Sequence, residues 1–250
     1  MKKIILIATL FSLATVNAQD SDRIAPTKSD SKFTFGWIYA PEVSYRILSE
    51  GDQSTPNIPL FIDSRNDREG YKFGQTFNAF FGYQFASNLK LEAGIGFTDY
   101  GERTKPFDLV SSFGPSSVEI VGTASGSSHI FVTTVPINLQ FQMGKGKVRG
   151  FIAAGIAPGL LTRYMTRSKI EYPDGDVSTG TYYSPSEQEN YSQFILSANI
   201  SGGIDYRYSE KASLRIAPAF RMTANNVYPD AMIRGHYFNI GIEFGAVYHL

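Results

Sequence analysis

Between Phe238 and Leu250 every second residue is apolar: Phe238, Ile240, Ile242, Phe244, Ala246, Tyr248 and Leu250 alternate with Asn239, Gly241, Glu243, Gly245, Val247 and His249. A period of two belongs to a β-strand with one apolar and one polar face. Chain ends usually fray, so a stripe this regular is expected to be paired along its whole length.

Eight such runs fall at about residues 32–48, 71–85, 89–100, 129–142, 148–168, 191–208, 213–224 and 235–250. Their richness in Phe, Tyr, Ile and Val suits strands. Three tight turns join them in pairs, at Ala86 to Asn88, Gly144 to Lys147 and Ser209 to Ala212. The other connections are long and polar, for example EGDQSTPNIPLFIDSRNDREG and EYPDGDVSTGTYYSPSEQEN. Strict alternation of short and long connections is expected when one rim of an up-and-down barrel carries turns and the other carries loops. Ile38 to Pro41, Ile156 to Pro158 and Ile216 to Pro218 form a weak repeat in runs that point the same way. Each proline falls on the outer face. Because proline removes a ladder hydrogen bond, bulges are expected there.

The two faces decide the solvent. The apolar sets are bulky (Leu91, Ile95 and Phe97; Phe194, Leu196 and Ile200), and the opposite sets carry charge and glycine. So many aromatic rings do not fit inside a barrel of about eight strands. The faces are therefore read as inverted, with rings toward lipid and charges toward the lumen. This gives an all-β fold: an eight-stranded antiparallel up-and-down transmembrane β-barrel with short periplasmic turns and long extracellular loops, spanning 32–250. The lumen set is Glu42, Arg46, Lys72, Glu92, Arg149, Arg215, Arg221 and Glu243, with Lys90, Asp205 and Arg207 beside it. It is read as a packed ion-pair network, with one arginine serving both Glu42 and Glu243. The alternative is a path lined by Arg149, Arg215, Arg221 and Glu243.

The N-terminal MKKIILIATLFSLATVNAQ has the basic start, short apolar core and small-residue end of a signal peptide. Residues 1–18 are assigned to it and 19–31 to a flexible leader. Export places the barrel in the outer membrane of a Gram-negative bacterium.

The strand ending in Glu243, Gly245, Tyr248 and Leu250 resembles the C-terminal assembly signal of outer-membrane proteins, although the last residue there is usually aromatic. The insertion machinery is thus an expected partner. The stretch HIFVTTVPINLQFQMGKGKVRGFIAAGIAPGLLTRYMTR has a Val-Pro-Ile strand, a short basic Gly turn and a Gly-rich strand ending in Leu-Leu. It resembles the central hairpin of the PorT-like outer-membrane β-barrel family. That resemblance implies an eight-stranded barrel without a common activity; some relatives are linked to secretion or gliding.

Chemistry is sparse. There are no cysteines, three histidines, and 23 basic against 23 acidic residues with no basic stripe, so thiol chemistry, a His-rich metal site and nucleic-acid binding are not expected. His129 and His236 lie near the loop rim and His249 at the opposite end, without a Ser/His/acid spacing. Asp63, Asp67, Glu69, Asp174 and Asp176 lack the order of a calcium loop and read as solvated charge. Tyr164, Tyr172, Tyr182, Tyr183 and Tyr191 surround the third long loop as a girdle or a binding surface. No catalytic residue, metal or cofactor is assigned. The expectation is a non-enzymatic structural, assembly or interaction component of the envelope, in contact with outer-membrane lipids, lipopolysaccharide and envelope proteins. A narrow channel or small-molecule binder is the alternative, and a rim-located lipid-modifying enzyme the third.

Overall fold

The computed structural model describes residues 32–52, 55–112, 118–184, 191–228 and 232–250. Residues 1–31, read from the sequence as a signal peptide and a leader, lie outside the described residues. The elements in chain order are β1 (Phe33–Glu50), α1 (Ile58–Arg68), β2 (Glu69–Gly70), β3 (Lys72–Gln84), β4 (Leu89–Ser112), β5 (Val118–Thr134), β6 (Ile137–Met143), β7 (Val148–Glu171), β8 (Val177–Ser184), β9 (Phe194–Arg207), β10 (Ala212–Thr223) and β11 (Ile233–His249).

The fold is an eight-stave antiparallel barrel. Its order is β1, β3, β4, then β5 with β6 as one interrupted stave, then β7, β9, β10 and β11, which pairs back onto β1. Each stave has two neighbours, so backbone groups find partners without water, as a spanning structure requires. Closure runs from Thr34↔His249 to Glu50↔Ile233. The backbone N–H of Leu250 donates to Phe33 O at 3.1 Å and that of His249 to Lys211 O at 2.7 Å.

Alternation sets the faces. Along β1, Phe33, Phe35, Trp37 and Tyr39 are exposed while Thr34, Ile38, Ala40 and Glu42 are buried. The outside of the barrel is thus aromatic and aliphatic, with Phe73 77 % and Phe81 65 % exposed, whereas Glu92 and Arg215 are 2 % and 3 % exposed. Water-soluble barrels bury the first kind and expose the second. This barrel does the reverse, and that makes it a transmembrane one. Phe80 breaks the apolar stripe of β3 because it points inward, over a space that glycine leaves: a Cβ on Gly36 would lie 2.6 Å from Phe80 Cζ.

The expected bulges at the prolines do not form. Pro41 pairs with Gln75, Pro158 with Leu196 and Pro218 with Ile242 in unbroken register. On the other side two successive pairs are simply omitted. Pairing of β1 with β11 stops at Tyr39↔Phe244 and resumes in the same register at Glu42↔Gly241. Between β10 and β9 it stops at Ile216↔Ile204 and resumes at Ala219↔Ser201. Pro158 faces the break between β5 and β6, where its carbonyl still accepts from the Val135 N–H at 2.8 Å. Closure explains the difference, because a strand held on both sides keeps its register through one missing bond.

The long connections also differ from the sequence reading. Residues 101–128 are mostly strand, since β4 runs to Ser112 and β5 begins at Val118. After the next turn β8 folds back on β7, and the first long connection contains α1. VEIVGTASGSS has no apolar stripe to announce it; its backbone is held by pairing with β4 and β7. The register shifts that do occur lie in these upper strands, at Thr104/Phe107, Leu109/Val110 and Phe131/Val132.

In detergent, unheated protein should run faster on a gel than heated protein, as a closed barrel does. The outward-facing Ile216→Arg, near the middle of β10, should lower bilayer stability by about 2–4 kcal/mol, read from the midpoint of that mobility shift. An unchanged midpoint would contradict the lipid-facing assignment.

Candidate functional site

Three buried arginines at successive heights organise the lumen. Nearest the turns, Arg215 on β10 donates to Glu92 on β4 through Nη1 at 3.0 Å and Nη2 at 3.1 Å. These staves lie on opposite sides of the ring, so the pair crosses the lumen. Arg215 also donates to Asp205 through Nε at 2.9 Å and to Gln140 through Nη2 at 2.7 Å. Lys90 reaches Glu92 at 2.6 Å. The guanidinium carbon lies 4.5 Å from the ring centre of Phe151 and 5.5 Å from that of Phe80, in cation–π range.

At mid-height Arg221 pairs with both Glu42 and Glu243. Glu42 further accepts from Thr76 at 2.7 Å and from Asn239 at 2.8 Å. Glycine makes room here too: a Cβ on Gly241 would lie 2.6 Å from Glu42 Cγ. Higher still, Arg46 pairs with Glu69, donates to the Tyr228 hydroxyl at 2.7 Å and lies 3.6 Å from Glu102. The Tyr237 hydroxyl donates to Glu102 at 2.9 Å. Glu69, read from sequence as solvated loop charge, is 7 % exposed and also held by Arg65 at 2.9 Å. The chain from 224 to 228 folds into this mouth, where Val227 is buried and Tyr191 packs between Tyr164 and Tyr228 at 4.7 and 5.4 Å. Burial, then the Tyr228 and Tyr164 phenols, hold the Tyr191 phenol well above its usual range, so it stays neutral.

Between the lower and middle arginines lies a cavity of about 20 Å³ beside Asn78, Asn138 and Asn199. That is room for about one water. Two other sequence-named residues lie apart from the three hubs. Arg149 is half-buried at the turn rim with Nε 3.4 Å from Gly146 O, and Lys72 pairs with Asp99 at 2.6 Å. Of the assembly-signal residues, Glu243 is in the Arg221 cluster, while Tyr248 and Leu250 are exposed on the barrel's outside and Gly245 lies opposite Arg215 in the ladder.

The sequence reading missed one constellation. Ser127 Oγ is 3.3 Å from His129 Nε2, and His129 Nδ1 is 3.1 Å from Asp99. This is the order of a Ser–His–acid relay. Ser127 and His129 share a face because they are two apart on a strand, a signal the sequence did carry. Asp99 comes from the neighbouring stave and could not be inferred. Lys72 Nζ is 2.9 Å from the same His129 Nδ1, so it competes with the imidazole for Asp99. His236 bonds Thr223 O at 3.1 Å and His249 bonds Ser213 at 2.8 Å.

No protein-family model matches the chain, and no curated protein does. Among solved structures, the chain is similar to Neisserial surface protein A at 12% identity and a TM-score of 0.41, covering 89% of this chain and 100% of that one. It is also similar to the outer-membrane protein OprG of Pseudomonas aeruginosa (11%, 0.35, covering 88% and 97%). A third is the outer-membrane protease OmpT of Escherichia coli (8%, 0.39, covering 92% and 100%). At these values the likeness says nothing about what this chain does.

Removing one partner of a buried ion pair costs about 3–5 kcal/mol. Arg221→Met should therefore destabilise the barrel by that order, since it strands two carboxylates. Adding Glu42→Gln and Glu243→Gln should recover most of the loss. Heat-modifiability midpoints of the single and triple variants measure both, and no recovery in the triple variant would show that the ion pairing is not what matters.

Proposed function

We propose that this chain is a non-enzymatic outer-membrane barrel of a Gram-negative envelope, acting as a structural, assembly or interaction component. The observation that carries the reading is the filled lumen: arginine-centred clusters occupy the interior at three heights, while strands rise well beyond the lipid-facing belt on one side only. A plugged interior leaves the loop-side surface and the turn rim as places to act. The signal-peptide pattern supports export, and the C-terminal pattern supports delivery by the insertion machinery. The PorT-like resemblance supports a place in a secretion or related envelope assembly, with lipopolysaccharide as the surrounding lipid.

In planar bilayers the protein should give no steady conductance, and crosslinking in the native envelope should retain specific envelope proteins. Discrete single-channel openings altered by Arg221→Gln would instead establish the channel alternative.

A second reading rests on Ser127, His129 and Asp99, which could activate a serine for ester hydrolysis at the rim. It predicts slow release of acyl chains from lipid that disappears in Ser127→Ala. Equal background rates in both proteins would remove it.

A further inference from the structure

On the loop side β4, β5, β7 and β8 continue as one sheet. Directly opposed residues share a face. One row across that sheet is therefore Arg103, Ser127, Arg167 and Thr181, and another is Ser125, Lys169 and Thr179. Between them runs the row Gly126, Ser168 and Gly180, whose direction is the opposite face. The floor is thus bare backbone, and the two rows border an open groove of about 360 Å³. That volume is at the lower end of small-ligand sites, roughly 300–1,000 Å³.

The chemistry of this groove is one-sided. Its bordering side chains are three cations and four hydroxyls, without a carboxylate. Arg103 and Arg167 are exposed and, among the described residues, form no ion pair; Lys169 is held by the neighbouring Glu171. The two arginines flank Ser127, each one strand away, about 5 Å across the sheet. Two guanidinium forks on the strands either side of one hydroxyl suit an anion with three or more acceptor oxygens, which phosphate has and carboxylate lacks. The remaining Ser and Thr hydroxyls both donate and accept, as the hydroxyls of a sugar do.

We propose that this groove binds a phosphorylated sugar. The proposal deepens the interaction reading above, because it gives the loop-side sheet a ligand class. Phosphosugars reach a cell surface either on the lipopolysaccharide anchor or free in solution, and the recognised chemistry is the same.

The test is calorimetric titration of the full barrel in phosphatidylcholine nanodiscs. The probes are glucose 6-phosphate, glucose, and lipid A with and without its phosphates. At least one phosphorylated probe should bind, its unphosphorylated counterpart at least tenfold more weakly, and binding should fall with salt. The double variant Arg103→Gln/Arg167→Gln should weaken it at least tenfold. Thr181→Glu, on the exposed strand β8, should do the same by placing a carboxylate in the row, and serves if the double variant loses its heat-modifiable form. Preference for phosphorylated lipid A assigns the lipid source, and preference for glucose 6-phosphate the soluble one. Equal binding of phosphorylated and plain probes, binding unchanged in the folded variants, or no binding at all overturns the proposal. Envelope crosslinking reads protein partners independently, so failure of either experiment leaves the other interpretable.

Discussion

A guanidinium or carboxylate removed from water costs several kcal/mol unless another charge and enough hydrogen bonds replace the water. This barrel puts many of them inside, and the rest of the structure follows from satisfying them. Arg221 is shared by Glu42 and Glu243. Since Glu42 is on β1 and Glu243 on β11, this arginine neutralises two like charges at the seam where the ring closes. Arg215 ties β10 to β4 across the full lumen. Such pairs do more for shape than for net stability, because their Coulomb gain is largely cancelled by desolvation. They allow one arrangement of staves and penalise others.

The same pairing explains the small residues inside and the large ones outside. A lumen of eight staves has room for side chains and little else. Gly241 yields space to Glu42, and Gly36 to Phe80, whose ring then lies beside the Arg215 guanidinium. With the interior polar and full, the bulky rings of β1 and β3 have only the outside. In lipid that is their favourable place. The loop-side sheet is under neither constraint, which is why it can carry hydroxyls and cations on an open face.

Alternation made the faces readable in the sequence. Glu42, Arg221 and Glu243 could be named as one set because each opposes an apolar stripe. Which of them meet could not be read, because Arg215 finds Glu92 across the ring, far from its ladder neighbours. Phe80 looked like an exception until its inward space was visible. The upper strands were hidden for a different reason: Gly122 to Ser128 has no stripe, and its strand character comes from neighbours on both sides. The prolines misled because the bulge rule describes strands with a free edge. Asp99, His129 and Ser127 were separated by the loop reading of 101–128, which broke the stave that brings them together.

The central claim is the inversion of faces, and the chain carries its own reporter. Trp37 is the only tryptophan, it lies on the lipid side of β1, and it is 46 % exposed in the isolated barrel. The most direct measurement is its fluorescence in vesicles whose acyl chains carry bromine, alongside titration with aqueous acrylamide. The account predicts strong quenching by the brominated chains and little by acrylamide. Quenching by acrylamide with no effect of the brominated lipid would place Trp37 in water and contradict the account.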